Sequence, residues 1–414
     1  MALCDDDADN NDDAPEEEEE EARKINVLVR VRPLTTPASA DVIDAKNAVD
    51  VDGPPSSAGT NPHAGGEICV SFGNEAKTYL GAFGCVLPPS SKQDEVFSRV
   101  AGAVASVPLG FNACILAYGQ TGSGKTHTML GAGKGGFSAE TNDDDEGVVP
   151  RAVRTLFDAL DAHATTADDD GDEASSSSWK VECSFLQVYG DRLTDLLSAP
   201  SSAGTSEALR IRETTTTMKG PVAGFSDSDD ARSTRQRRND SRRRCPSEVY
   251  VAGLSSYRCG AADEVLALVS RGLSRRATRM TRANETSSRS HAVLQLAVEV
   301  FERRASSKTS LRRAKLTLVD LAGSERVADL ATSSPVGCKV HPNSSSRAFA
   351  EHVAINRSLS ALGNVVAALV ADAQHVPYRD STLTRVLQDA LGGNAKTIMI
   401  ACVSPDARHA DETV

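Results

Sequence analysis

The chain has 414 residues, of which 40% are hydrophobic and 25% are charged, and this composition predicts a folded, soluble protein with one large core or two ordinary ones. The formal net charge is −12, but residues 1–21 hold twelve acidic residues and no basic one, which leaves 45 acidic residues against 45 basic ones. We therefore expect a neutral folded body behind an acidic, disordered tail at residues 1–22, a start unlike the basic opening of a secretory signal or a mitochondrial presequence.

Short apolar runs bounded by Gly, Pro or Ser predict strands that are buried on both faces, and helical patterns lie between them. The predicted strands are 25–31, 113–118, 316–321 and 397–403. The predicted helices are 148–160, 262–272, 350–369 and 381–390. This alternation predicts a layered α/β domain.

Four segments rich in small, polar or charged residues interrupt these elements and predict surface loops. They lie near residues 131–147, 161–178, 198–207 and 219–247. The last of them turns from acidic to basic and carries seven arginines between Arg232 and Arg244.

Cysteine usage and apolar run length limit the cellular setting. The nine cysteines contain no C-x-x-C pair, which argues against a disulfide framework or a zinc site. The longest apolar stretches, such as residues 365–371, are shorter than the roughly 20 residues that cross a bilayer. We expect a reducing cytosol and no membrane span.

Residues 119–126, the phosphate loop, match the pattern G-x-x-x-x-G-K-[ST] directly after the predicted strand 113–118 and before a plausible helix. Its glycines let successive backbone N–H groups face phosphate oxygens, and the helix N-terminus adds partial positive charge. Lys125 would reach the β- and γ-phosphates, and Thr126 would give Mg²⁺ a hydroxyl oxygen. The motif predicts nucleoside triphosphate binding, with a chance glycine-rich turn as the alternative. Its residues are Gly119, Gln120, Thr121, Gly122, Ser123, Gly124, Lys125 and Thr126.

Two further segments carry polar groups suited to a terminal phosphate. Residues 284–291 read Asn-Glu-Thr-Ser-Ser-Arg-Ser-His, a stretch dense in donors that is, taken alone, equally typical of a solvated serine-rich turn. Residues 320–325 read Asp-Leu-Ala-Gly-Ser-Glu and place Asp320 at the carboxyl end of a predicted strand, where open α/β sheets bind ligands. Gly323 could bring a backbone N–H close to the γ-phosphate.

Together these three segments resemble the phosphate loop, switch I (284–291) and switch II (320–325) of the kinesin motor domain. The resemblance continues in family order through residues 29–33, 355–364, 376–385 and 391–397. It implies a motor domain over residues 23–414 with a kinesin-type P-loop NTPase fold, in which a central mixed β-sheet has helices on both faces. It also implies a microtubule-stimulated ATPase that uses ATP and Mg²⁺.

The resemblance assigns roles residue by residue. Arg30, Pro33 and His127 would flank the adenine, although an isolated His is more often a simple cap of a helix turn. Ser288 would close on Mg²⁺ and the γ-phosphate, Ser287 would place the lytic water, and Asp320 would support the metal through water. Gly323 would sense the γ-phosphate. Arg289 and Glu325 would pair as a latch between the switches, and Asn356 would stabilise the closed arrangement.

A kinesin also needs basic groups for its acidic track. By resemblance the candidates are Arg326, Arg357, Arg379 and Arg385, each of which is individually typical of a solvated surface arginine. For the arginine-rich segment, added track attachment, an inert or phosphorylated loop and a nuclear localisation patch remain open. The expected partner is the microtubule, with no nucleic acid and no membrane, for a monomer in the cytoplasm on the microtubule cytoskeleton.

The chain departs from the family pattern in several places. Thr382 replaces a basic residue, and an insertion near residues 329–348 lengthens the loop after switch II, which couples the nucleotide to the track in the family. The resemblance stops at Val414, before the final helix and neck linker of the family. These departures leave open a nucleotide-dependent microtubule-binding module with little or no hydrolysis or motility. A P-loop GTPase of another family is a third alternative, but the sequence has no N-K-x-D signature.

Overall fold

The computed structural model describes residues 25–33, 49–50, 66–72, 75–132, 145–166, 176–198, 209–214, 249–283, 287–303, 309–325 and 342–405. The predicted tail at 1–22, the arginine-rich segment 219–247 and Arg326 lie outside these residues. So do most of the predicted loops 131–147, 198–207 and 329–348.

The strands of the described residues are numbered here in chain order. They are β1 Asn26–Val31, β2 Val49–Asp50, β3 Gly66–Phe72, β4 Glu75–Phe83, β5 Cys85–Leu87, β6 Asn112–Tyr118, β7 Ser176–Tyr189, β8 Arg192–Asp195, β9 Arg210–Glu213, β10 Val249–Ala252, β11 Tyr257–Cys259, β12 His291–Arg303, β13 Thr309–Asp320 and β14 Ala395–Val403.

The helices of the same residues are also numbered in chain order. They are α1 Gln93–Ser98, α2 Ala101–Ala105, α3 Lys125–Leu130, α4 Val148–Thr166, α5 Ala262–Ala283, α6 Pro342–Val370 and α7 Thr382–Val386. Short 3₁₀ turns lie at Val107–Leu109, Ser287–Arg289, Tyr378–Asp380 and Gln388–Ala390.

A mixed sheet forms the centre of the fold, as the resemblance predicted. Its strand order is β11-β7-β12-β13-β6-β14-β1-β5, and β8 pairs with β7 outside this path. Strands β13, β6, β14, β1 and β5 pair in parallel, whereas β12, β7, β8 and β11 pair antiparallel. The parallel strands therefore end at a common edge, where ligands bind in α/β proteins.

Helices cover both faces of this sheet because the side chains of its inner strands alternate between two cores. On β6, Ala113, Ile115 and Ala117 pack into a core shared with α1 to α5. Cys114 and Leu116 face a second core that contains residues of α6 and α7. The predicted layered arrangement is confirmed.

Several element boundaries differ from the sequence prediction. Helix α4 continues to Thr166, and β7 begins at Ser176, so both ends of the predicted loop 161–178 belong to regular structure. The serines at the start of β7 pair with the end of β12, and this long-range pairing overrides their low-complexity composition. Helix α6 begins at Pro342 rather than at residue 350.

Helix α6 also changes the prediction that no segment is long enough to cross a membrane. Its part Val353–Val370 is long and apolar enough by length and composition alone, although Asn356, Arg357 and Ser358 interrupt the run in the sequence. Ile355 and Val365 of this helix are buried in the second core.

Candidate nucleotide-binding site

The phosphate loop joins β6 to α3 at the carboxyl edge of the sheet. Gly119, Gly122 and Gly124 have φ angles of 143°, 82° and 101°, a region that side chains beyond glycine rarely adopt. A Cβ at Gly119 would also collide with the carbonyl oxygen of Cys402 on β14. The glycines of the motif are thus required by backbone shape, which brings successive N–H groups to one side of the loop.

Lys125, the first residue of α3, is only 7% exposed. Its Nζ donates hydrogen bonds to the carbonyl oxygens of Gly119 and Gln120, each at 2.7 Å. Burial lowers the pKa of Lys125, and the negative charges of Asp320 and Glu325 oppose that shift. A buried ammonium group therefore holds the loop from inside and is available to an anion.

Thr126 and Asp320 form the candidate metal site. The Thr126 hydroxyl donates to Asp320 Oδ2 at 2.9 Å, and Arg276 Nη1 of α5 lies 3.5 Å from the same oxygen. Asp320 Oδ1 is buried without a hydrogen-bond partner in the structure. A hydroxyl and a carboxylate with an unsatisfied oxygen are the hard ligands that Mg²⁺ prefers, directly or through water, so these residues fit the predicted ion.

A cavity of about 470 Å³ opens beside the loop. Its size is that of an ordinary small-molecule site. Residues from the three predicted segments and from the end of β1 line it, and they are Arg32, Pro33, Thr121, Gly122, Gly124, Lys125, Thr126, His127, Ser288 and Leu321.

Arg32 replaces the predicted Arg30 on the cavity wall. Arg30 lies within β1, and its Nη1 donates to Gln93 Oε1 at 2.9 Å and to Thr128 Oγ1 at 2.8 Å inside the fold. Arg32 follows the end of β1 and bonds the carbonyl oxygen of Gly122. Both arginines belong to the same sequence motif, residues 29–33. Their surroundings differ because Arg30 lies within β1, whereas Arg32 follows the end of this strand.

Switch I and switch II meet beside the cavity. The N–H of Gly323 donates to the main-chain oxygen of Ser288 at 2.7 Å, and the N–H of Ser324 donates to that of Gly119 at 3.1 Å. Ser288 belongs to the turn Ser287–Arg289. The Ser287 side chain lies outside the described residues. The N–H of Gly323 thus bonds switch I in this structure, and its role as a sensor of the γ-phosphate stays a prediction.

The Glu325 carboxylate binds the phosphate loop. Among the residues that the structure describes, no ion pair joins Glu325 to Arg289. Glu325 Oε2 accepts from the Thr121 N–H at 2.8 Å, and Oε1 accepts from the Thr121 hydroxyl at 2.5 Å. The predicted latch is thus not formed in this structure, because donors of the phosphate loop hold its acidic member. Asn356 Nδ2 donates to the Glu325 carbonyl at 3.2 Å, which joins α6 to switch II.

His291 is a site residue that the sequence analysis quoted but gave no role. It begins β12 with 1% exposure, and its Nδ1 accepts the N–H of Ala322 at 3.0 Å. Its Nε2 lies 2.9 Å from Ser358 Oγ on α6. Burial, together with the positive charges of Arg276 and Lys125, lowers its pKa to about 3. The available signal was a histidine between a serine-rich turn and an alternating apolar strand.

Three of the predicted track-binding arginines lie among the described residues. Arg357 is exposed on α6. Arg379 Nη2 lies 3.3 Å from Glu213 on β9, and Arg385 on α7 bonds the same carboxylate. Glu213 thus binds two of these arginines. In the sequence it precedes the arginine-rich segment 219–247.

Comparisons with known proteins agree with this geometry. A family model described as the kinesin motor domain matches residues 30–414. Kinesin-like protein Klp61F of Drosophila melanogaster is 35% identical over 394 residues, which are 95% of this chain and 31% of that protein. Kinesin-related protein 5 of Dictyostelium discoideum is 33% identical over 356 residues, 84% of this chain and 30% of that protein. The chain spans about a third of the length of these relatives.

Solved structures show the same architecture. The structure of a fast kinesin has a TM-score of 0.67 at 29% identity, with 95% of this chain and 88% of that one covered. The motor domain of the Kar3-like kinesin from Ashbya gossypii has a TM-score of 0.62 at 25% identity, with 94% and 96% covered.

Replacing Lys125 should abolish tight nucleotide binding. We expect Lys125→Ala to weaken binding of a fluorescent ATP analogue at least about a hundredfold, because the charge-assisted hydrogen bonds predicted from Lys125 to the phosphates, worth roughly 1.5–3 kcal/mol each, would be lost. Lys180→Ala, at a half-exposed lysine on β7, is the control and should bind as the unaltered chain does. Micromolar affinity retained in Lys125→Ala would contradict the assigned role.

The low pKa of His291 predicts a loss of stability in mild acid. Below pH ~6.5 the unfolded chain takes up a proton on this histidine while the folded chain stays neutral. From this group alone the free energy of unfolding should fall by about 1.2 kcal/mol between pH 6 and pH 5. Urea unfolding should show a shallower pH slope in His291→Gln and an unchanged slope in His375→Gln, which alters an exposed histidine. Equal slopes in all three proteins would contradict the buried, neutral state.

Proposed function

The chain belongs to the kinesin motor domain family, whose members are in general ATPases with a microtubule-based motor function. On this premise we propose that the chain binds and hydrolyses ATP. We also propose that it binds microtubules and that they stimulate the hydrolysis. The observation that carries the proposal is the convergence of Lys125, Ser288 and Leu321 on one cavity of nucleotide size. The proposed setting is the cytoplasmic microtubule cytoskeleton.

The residues of the cavity supply the functions that phosphoryl transfer requires. Lys125 and the loop N–H groups would bind phosphate oxygens, and Thr126 with Asp320, which bond each other in this structure, would hold the ion. Bound Mg²⁺ neutralises charge on the phosphate oxygens. The Gly323 N–H bonds the Ser288 carbonyl in this structure and would exchange that carbonyl for a phosphate oxygen.

The latch between Arg289 and Glu325 belongs to this proposal as an alternative state of the site. Glu325 now binds Thr121 through both carboxylate oxygens. A γ-phosphate near the Thr121 N–H would repel this carboxylate and compete for its donors. Release of Glu325 would leave it free to pair with Arg289 in the neighbouring turn, which closes the two switches on each other.

Steady-state ATPase assays with and without microtubules test the proposed function. We expect strong stimulation at low salt that weakens at moderate salt, because Arg357, Arg379 and Arg385 attach to an acidic partner through screened charges. A flat ATPase response combined with nucleotide-dependent pelleting would favour the non-hydrolysing binding module. Absence of both hydrolysis and pelleting would contradict the proposal.

Removing either member of the latch should lower hydrolysis and leave ATP binding largely intact. Arg289→Ala and Glu325→Ala each leave a charged partner unpaired in the proposed closed state, where burial of the pair would make this loss cost about 3–5 kcal/mol, so we expect turnover to fall at least about tenfold. The matched control is the exposed pair of Arg313 with Glu299, whose alanine variants should keep normal turnover. Normal turnover in both latch variants would refute the latch.

A further inference from the structure

The imidazole of His291 forms hydrogen bonds with both switch II and α6, and the donor and the acceptor of each bond can be assigned. The Ala322 N–H can only donate, so Nδ1 is the acceptor and Nε2 carries the proton in neutral histidine. The Ser358 hydroxyl donates to the Ile355 carbonyl at 2.6 Å, and its oxygen is therefore free to accept from Nε2. His291, Ala322 and Ser358 are 1%, 0% and 4% exposed, so water does not replace either bond readily.

One of these bonds acts on the peptide next to the proposed phosphate sensor. Switch I holds two successive N–H groups of switch II, that of Ala322 through His291 and that of Gly323 through the Ser288 carbonyl. If the Gly323 N–H moves toward a phosphate by a shift of the backbone rather than by rotation of its own peptide, the adjoining peptide moves with it, because neighbouring peptide planes share a Cα. Ala322 then either carries the imidazole along or loses a buried acceptor, which is unfavourable.

The other bond acts on α6. Ser358 lies on the side of the helix that faces the second core, together with the buried residues Ile355 and Leu362. Arg357, the adjacent residue, is exposed and is one of the proposed track-binding groups. Because packed interiors deform little, a displacement of the imidazole would shift the helix rather than be absorbed around it.

We propose that His291 is a positioning residue that transmits the state of the phosphate site to α6 through its bonds to Ala322 and Ser358. The inference rests on the proposed function, since it requires nucleotide at the phosphate loop. A histidine that only fills the core would hold α6 equally well with and without nucleotide. The two roles therefore differ in the response of α6 to nucleotide.

Ser358→Ala is the main test variant because it removes the acceptor on α6 and otherwise only a hydrogen bond within the helix, to the Ile355 carbonyl. Ser360→Ala, an exposed serine two residues further along α6, is the matched control. His291→Asn keeps an acceptor near the Nδ1 position, and His291→Gln keeps a donor near the Nε2 position. Each of these two variants retains one bond of the pair, so both should lose transmission.

Hydrogen exchange with mass spectrometry, with and without AMP-PNP and Mg²⁺, supplies the readout and needs no microtubules. In the unaltered chain and in Ser360→Ala we expect protection of the phosphate loop and a change of about fivefold or more in the exchange of α6 amides. In Ser358→Ala the loop protection should remain while the change in α6 falls below about twofold.

The outcomes separate the two levels of inference. Loop protection without a response in α6 of the unaltered chain would overturn the role of His291 and leave the proposed function standing. An equal response of α6 in Ser358→Ala and in the unaltered chain would overturn the same role. No protection of the loop in the unaltered chain would overturn the proposed function, and the inference with it.

Discussion

The candidate site depends on four successive backbone N–H groups of switch II that are held by four different partners. This stretch has no regular secondary structure, and its first three residues are buried, so its donors must find acceptors elsewhere in the fold. The bonds are Leu321 to the Ala117 carbonyl, Ala322 to His291 Nδ1, Gly323 to the Ser288 carbonyl and Ser324 to the Gly119 carbonyl. They fix β6, switch I and the phosphate loop relative to one another, so a change at any one of them reaches the others.

The sheet explains why these groups meet at one edge. β1, β6 and β13 run parallel, and each is followed at its carboxyl end by part of the site. Arg32 and Pro33 follow β1, the phosphate loop follows β6, and Asp320 ends β13. Because the loop and Asp320 each follow an apolar run that is recognisable in the sequence, their placement could be predicted from local pattern together with the rule that ligands bind at this edge.

Contacts between distant segments could not be predicted in the same way. Glu325 and Thr121 are 204 residues apart, and nothing near either residue indicates that a carboxylate binds the loop. Arg30 and Arg32 have the same spacing motif but opposite surroundings, because β1 ends between them. The strands β7 and β12 pair with each other along most of their length. The serine-rich start of β7 is a strand because of this pairing and not because of its composition.

The proposed latch gives Glu325 a second partner, so that one acidic side chain would serve both an open and a closed site. The Thr121 N–H and hydroxyl are hydrogen-bond donors in the phosphate loop, and in this structure the Glu325 carboxylate accepts both bonds. A carboxylate and a phosphate oxygen cannot share these donors at close range, because like charges repel strongly where little water screens them. Arrival of phosphate would therefore release Glu325 toward a cation, while Asn356 keeps hold of its main-chain carbonyl from α6. In the proposed exchange of Thr121 for Arg289 the Glu325 side chain would therefore rotate while its main-chain carbonyl stays bound to Asn356.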